Sequence, residues 1–207
     1  MGRLACGFRL PEGYAAHMRF VRRIAVLWRA LCDVVRIAIA NETERSAFPN
    51  VRFASGVLIR GSARMTMGEG VFIDHCAYLS ASTVNEGRGY IHLGDCVEIG
   101  PYSVLWGGGG IEIGNNVHLG AHVHLTSQQG RRVPPEQRDP HLPLTIDCAP
   151  IRIEDHVLIY SGTIVVPGVT IGHHAIVAAG SVVTENVPPY ATAAGVPARV
   201  VRSGAIA

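Results

Sequence analysis

Residues 153–183 read IEDHVLIYSGTIVVPGVTIGHHAIVAAGSVV, and an aliphatic side chain returns every six positions: Ile153, Ile159, Val165, Ile171, Val177 and Val183. Six is too long for a helical turn and equals three strand alternations, so the chain advances in short straight steps with a turn between them. The same spacing links Met67, Ile73 and Leu79, then Leu93, Ile99 and Leu105, then Ile113, Leu119 and Leu125. Three steps make an 18-residue coil. Such a coil closes a triangle with one aliphatic side chain directed inward per side, and coils of this kind stack into a prism.

Four residues after each aliphatic position stands a small or β-branched residue, as at Val71, Ala77, Val97, Ser103, Val117, Val123, Thr163, Val169, Ala175 and Ser181. A narrow prism holds one large side chain per side and a small one near each corner, so this second register is what close packing requires. Gly68, Gly94, Gly100, Gly114, Gly120 and Gly172 fall between the two registers, where tight turning or close stacking excludes a Cβ.

Three insertions break the period, at residues 80–92, 106–112 and 126–152, and each follows the third aliphatic position of its coil. All three therefore leave from one corner of the prism, and the longest is the segment best able to reach a ligand or a neighbouring subunit. The reading is all-β: a parallel β-helix over residues 51–202, preceded by a helical extension over residues 1–50 and followed by a short tail, 203–207.

The 207 residues are 48% hydrophobic but only 6% aromatic, which fits a core of Val, Ile, Leu and Ala. Residues 1–60 hold ten Arg against four acidic residues, and residues 61–207 hold eight Arg against twelve. The net charge of +2 gives no expectation of a nucleic-acid partner. Every basic residue is Arg and none is Lys, a usage that either phosphate binding or codon bias explains. Cys6, Cys32, Cys76, Cys96 and Cys148 are odd in number and form no CxxC pair, which reads as a reducing, cytoplasmic compartment without disulfides or zinc. Cys76 and Cys96 sit within coils and are expected to act as small hydrophobes.

From Tyr14 to Ala40 the chain has neither Pro nor Gly and reads as a helix ending before the polar run Asn41 to Ser46. Arg22, Arg29, Asp33 and Arg36 form one stripe, and apolar residues cover the rest. Arg29 and Asp33 interrupt any uncharged run of the roughly 18 residues a membrane span needs. Two accounts stand: a helix packed against the prism or a sister subunit, or a peripheral contact of residues 14–40 with the inner face of an anionic membrane.

The run from Ile151 to Gly172 resembles the C-terminal half of the hexapeptide-repeat acyltransferases. Its continuation, Ala178-Ala-Gly-Ser-Val-Val-Thr-Glu-Asn-Val-Pro-Pro-Tyr-Ala-Thr-Ala-Ala-Gly-Val-Pro-Ala-Arg-Val-Val-Arg202, is similar to the maltose, galactoside and colanic-acid O-acetyltransferase branch. A six-residue repeat alone also admits nucleotidyltransferase tails and trimeric carbonic anhydrases, and Pro188-Pro189 with Gly195-Val-Pro-Ala-Arg199 narrows the choice. The resemblance covers roughly residues 57–202. It implies a left-handed parallel β-helix working as a homotrimer, with acetyl-CoA as co-substrate in the groove between prisms and a saccharide hydroxyl as acceptor, in surface-polysaccharide synthesis. Ser161, Gly162, Ala178 and Ala179 are the positions implied for the pantetheine arm, and Arg199 and Arg202 those for the nucleotide phosphates.

Acyl transfer to a hydroxyl needs a base near neutral pKa and a donor for the oxyanion. In the resembled branch a histidine stands about five residues after the third aliphatic position of the middle coil. Counting from Leu125, that position is Gly130. Asp139-Pro-His-Leu-Pro-Leu144 still looks like the branch's loop return, and Tyr102 aligns with its acceptor-holding residue. His141, His124 and His122 are the substitute bases expected here. The spacing of His118, His122 and His124 does not match the zinc ligands of the carbonic anhydrases, so no metal is expected. His156 and His174, 18 apart, should stack on successive coils. The alternatives are N-acylation of an amino or nucleotide sugar, and an inactive trimeric scaffold.

Overall fold

The computed structural model describes residues 38–81, 89–131, 133–134, 137 and 145–204. Thr43–Ala207 form one compact unit; of Met1–Glu42, residues 38–42 are described and are helical. The expected membrane-contacting stretch, apart from residues 38–40, lies outside the described residues. The helix does not stop at Ala40: residues 38–45 are helical, so the polar run belongs to it. Tertiary partners hold that last turn. The Glu44 carboxylate accepts from the Ser62 amide at 2.7 Å, and the Arg45 guanidinium lies 4.9 Å from the Phe53 ring centre. Hydrogen bonds from Ser62 hold the Glu44 carboxyl below its ordinary pKa. No helix among the described residues is long and apolar enough to cross a membrane.

Two- and three-residue strands stack in parallel into three faces. The first face aligns Phe53, Ile73, Ile99, Leu119, Ile159, Val177 and Ala193. The second aligns Ile59, Leu79, Leu105, Leu125, Val165 and Val183. The third aligns Met67, Leu93, Ile113, Ile153 and Ile171. Apart from the partly buried Phe53 and Met67, every one of these side chains is buried, as is the small residue that precedes each strand of the first two faces. Full burial of one such aliphatic side chain contributes roughly 1.5–3 kcal/mol, and the sum along three columns holds the prism together.

Close stacking explains the glycines. A Cβ on Gly100 would lie 2.6 Å from the carbonyl carbon of Gly120, and one on Gly120 would lie 2.7 Å from the Ser161 amide. The left-handed positions fall elsewhere, on the second residue of each turn. The corner between the first and second faces carries Gly56, Cys76, Tyr102, His122, Gly162 and Gly180 in this conformation, and the corner between the third and first carries Gly70, Cys96, Asn116, His156, His174 and Tyr190. Cys76 and Cys96 are therefore exposed at turns and do not act as the small hydrophobes expected. His156 and His174 stack with ring centres 4.6 Å apart, and Tyr190 extends the stack at 4.9 Å.

All three insertions leave the second face and return at the start of the third, from Ser80, Trp106 and Thr126 to Ile91, Ile111 and Ile151. The longest begins and ends as an antiparallel pair, Gln128–Gly130 with Ile146–Cys148. Outward residues give each face its character. The second carries Leu58, Tyr78, Val104, His124, Ile164 and Val182; the third carries Thr66, His92, Glu112, Arg152 and Thr170. An antiparallel strand, Ala198–Arg202, pairs with Thr192–Gly195 and finishes the first face.

Candidate active site

The residues expected to hold the cofactor converge on the upper part of the corner between the first and second faces. Each coil of that corner hangs on the one below: His122 N donates to Pro101 O, Gly162 N to Ala121 O, and Gly180 N to Ser161 O, all at 2.9 Å. Tyr102 and His122 stack there, ring centres 5.1 Å apart. Above them the aromatic side chains give way to Ser161-Gly162 and Ala179-Gly180, which leave the backbone bare. The amides of Ser161 and Ala179 donate to no acceptor among the described residues. Below them the turns are pinned from inside. Thr163 Oγ1 donates to Tyr160 O and Ala178 O, and Ser181 Oγ donates to Ala178 O. Ala178 stacks against Ala193, and the next strand brings Arg199 opposite Ala194 and Arg202 opposite Thr192. Arg199 also meets Glu185 at 3.3 Å, an exposed pair that holds it only weakly.

Of the histidines expected as bases, the two described ones sit on different elements. His124 projects from the second face between Val104 and Ile164, half-buried. His122 is on the corner, one coil below Gly162. His141 lies outside the described residues. Tyr102 is exposed on the corner two coils below Gly162. Among the described residues no three or more His, Cys, Asp or Glu side chains group as metal ligands.

A groove of about 310 Å³ opens on the first face and runs into the same corner. Asp74 and Tyr160 stand at the two ends of one outward column with Gly100 and Gly120 between them, and Glu98, His118 and Leu158 line the adjacent column. His118 Nδ1 lies 2.8 Å from Glu98 Oε2. Bonds from the amide and ring of His75 hold the Asp74 carboxyl below its ordinary pKa, so it stays charged. The sequence reading missed this set, although a signal was present: Glu98 and His118 each precede an inward aliphatic residue, which puts both in one outward column.

Residues 150–185 match the family described as bacterial transferase hexapeptide (six repeats). A galactoside O-acetyltransferase of Escherichia coli K12 is 35% identical over 138 residues, covering 66% of this chain and 63% of that protein. Both likenesses point to the hexapeptide-repeat acyltransferases. The chain spans less than two thirds of that relative's length. Among solved structures, a hexapeptide-repeat containing acetyltransferase from Vibrio cholerae is 29% identical with a TM-score of 0.56, covering 81% of this chain and 80% of that one. An N-acyltransferase from Bacillus cereus, in complex with dTDP-4-amino-4,6-dideoxyglucose and coenzyme A, shares the fold at 23% identity. Its TM-score is 0.65, with coverage of 75% and 81%. The prism is thus the left-handed parallel β-helix of the family.

Gly130 occupies the position at which the resemblance led to the expectation of a histidine. It ends the outgoing arm of the long insertion, is exposed, and among the described residues has no atom within 4 Å of where a Cβ would be.

Proposed function

We propose that this chain is a coenzyme A-dependent O-acetyltransferase that moves an acetyl or similar short acyl group to a saccharide hydroxyl. It works as a homotrimer and serves surface-polysaccharide synthesis. The observation that carries the reading is the bare corner at Ser161-Gly162 and Ala179-Gly180, whose two unused amides suit a pantetheine arm and whose upper end leads to Arg199 and Arg202. Guanidinium groups recognise phosphate through paired, charge-assisted hydrogen bonds, which suits the nucleotide end of the carrier. An O-acetyltransferase relative at 35% identity supports the same chemistry. The outward face bearing Leu58, Val104 and Ile164 supports a trimer, since monomers rarely leave such a surface in water. His141, His124 and His122 remain rival bases.

Calorimetry with coenzyme A, followed by a thiol-release assay with acetyl-CoA and nitrophenyl galactoside, glucoside and amino-sugar acceptors, tests the proposal. Heat on binding, a dissociation constant raised ~10-fold in Arg199→Ala, and transfer to a hydroxyl are expected. Preference for the amino group would shift the reading to N-acylation. Binding without turnover would favour the second reading, an inactive trimeric scaffold, which the bare Gly130 supports. No binding at all would end the acyltransferase reading.

A further inference from the structure

We infer that the groove on the first face is the acceptor site, with His118 as its general base and Glu98 as the residue that positions the imidazole. The inference rests on the acyl-transfer reading and deepens it. With Nδ1 facing the Glu98 carboxylate at 2.8 Å, the ring proton sits on Nδ1 and the lone pair on Nε2. A carboxylate that fixes the tautomer of a neighbouring histidine is the arrangement a general base needs.

Location supplies the second argument. The groove is lined by Gly120, Ala121 and Tyr160, and Tyr160 immediately precedes Ser161, at the bare corner. A thioester laid along that corner and a hydroxyl held in the groove meet at one place. The acceptor oxygen gives its proton to His118 Nε2 and bonds to the thioester carbonyl carbon. The carbon–sulfur bond then breaks, and the sulfur leaves as a thiol with the proton from Nε2. The amide of Ser161 is a free donor for the oxyanion formed between these steps.

The lining also bounds the acceptor. Asp74 and Glu98 are acceptors for sugar hydroxyls, Tyr160, 52% exposed, offers an aromatic wall, and no Arg lines the groove among the described residues. Two carboxylates in one groove disfavour phosphate and carboxylate groups. The groove therefore takes an uncharged or amino-bearing saccharide unit, not a phosphorylated one.

With the most active glycoside of the panel above, His118→Asn should lower kcat ~100-fold while coenzyme A binding by calorimetry is kept. Glu98→Ala should lower kcat without moving the KM for acetyl-CoA, and Glu98→Gln, whose amide oxygen still accepts from Nδ1, should restore most of it. Full activity in His118→Asn, or loss in His124→Asn or His122→Asn instead, overturns the assignment and leaves the acyltransferase reading standing. Where no glycoside turns over, crystals soaked with coenzyme A and nitrophenyl β-galactoside give the answer. Sugar within hydrogen-bond reach of Nε2 supports the inference, and a groove without sugar overturns it.

Discussion

Gly120 shows how much a single hydrogen atom matters in this fold. A methyl group there would lie 2.7 Å from the Ser161 amide and 2.8 Å from its hydroxyl oxygen, so the coil above must lift. Gly120→Ala should lower unfolding stability by about 1–3 kcal/mol in urea titrations and weaken coenzyme A binding at the same corner. Unchanged values in both would mean that the coils stack less tightly than described. At this scale the sequence was a partial guide. The role of the glycines was legible because a gap between two registers has few physical explanations. The exposure of Cys76 was not, because its neighbours share its size and only the left-handed turn distinguishes it. The column holding Glu98 and His118 was legible from the coil count, but the contact between their side chains was not, because spacing fixes the register and not the rotamers.

The three faces are distinct elements, and the third is held by charge as well as by packing. Tyr90 donates to Glu112, which also receives Arg152 at 3.0 Å from the coil above. The Tyr90 hydroxyl, the largest cause, pulls the Glu112 carboxyl below its ordinary 4.5, and Glu112 pushes the Tyr90 phenol above its ordinary 10.0. The depressed carboxyl contributes stability that is full above pH 4.5 and lost as pH falls through its folded value. The raised phenol contributes stability that is full below pH 10.0 and lost as pH rises through its folded value. The stability gap between the wild type and Tyr90→Phe should thus be flat between these limits and shrink beyond each. A gap that persists well below pH 4.5 would refute the pairing. The inward columns of each face were readable from their period. This network was not, since Tyr90 belongs to an insertion and reaches its partner across a stacking distance that no linear spacing encodes.

For the whole molecule, the apolar second face is the surface on which the proposed trimer would assemble. Ile164 is 39% exposed and Trp106 44%, values that suit burial against another copy. Ile164→Asp should reduce the mass seen by light scattering from three chains to one, while circular dichroism stays unchanged, because the side chain points away from the core. A trimer that survives the change would move the interface elsewhere.

The antiparallel strand that finishes the first face matters beyond the single chain. A stack of parallel steps has no intrinsic stopping point, and its last rung offers open amides and carbonyls to any matching rung. By folding back on Thr192–Gly195, residues 198–202 occupy those groups with the chain's own backbone. Removing them would leave an adhesive terminus, and end-to-end joining of columns into fibres is the hazard this short reversal averts.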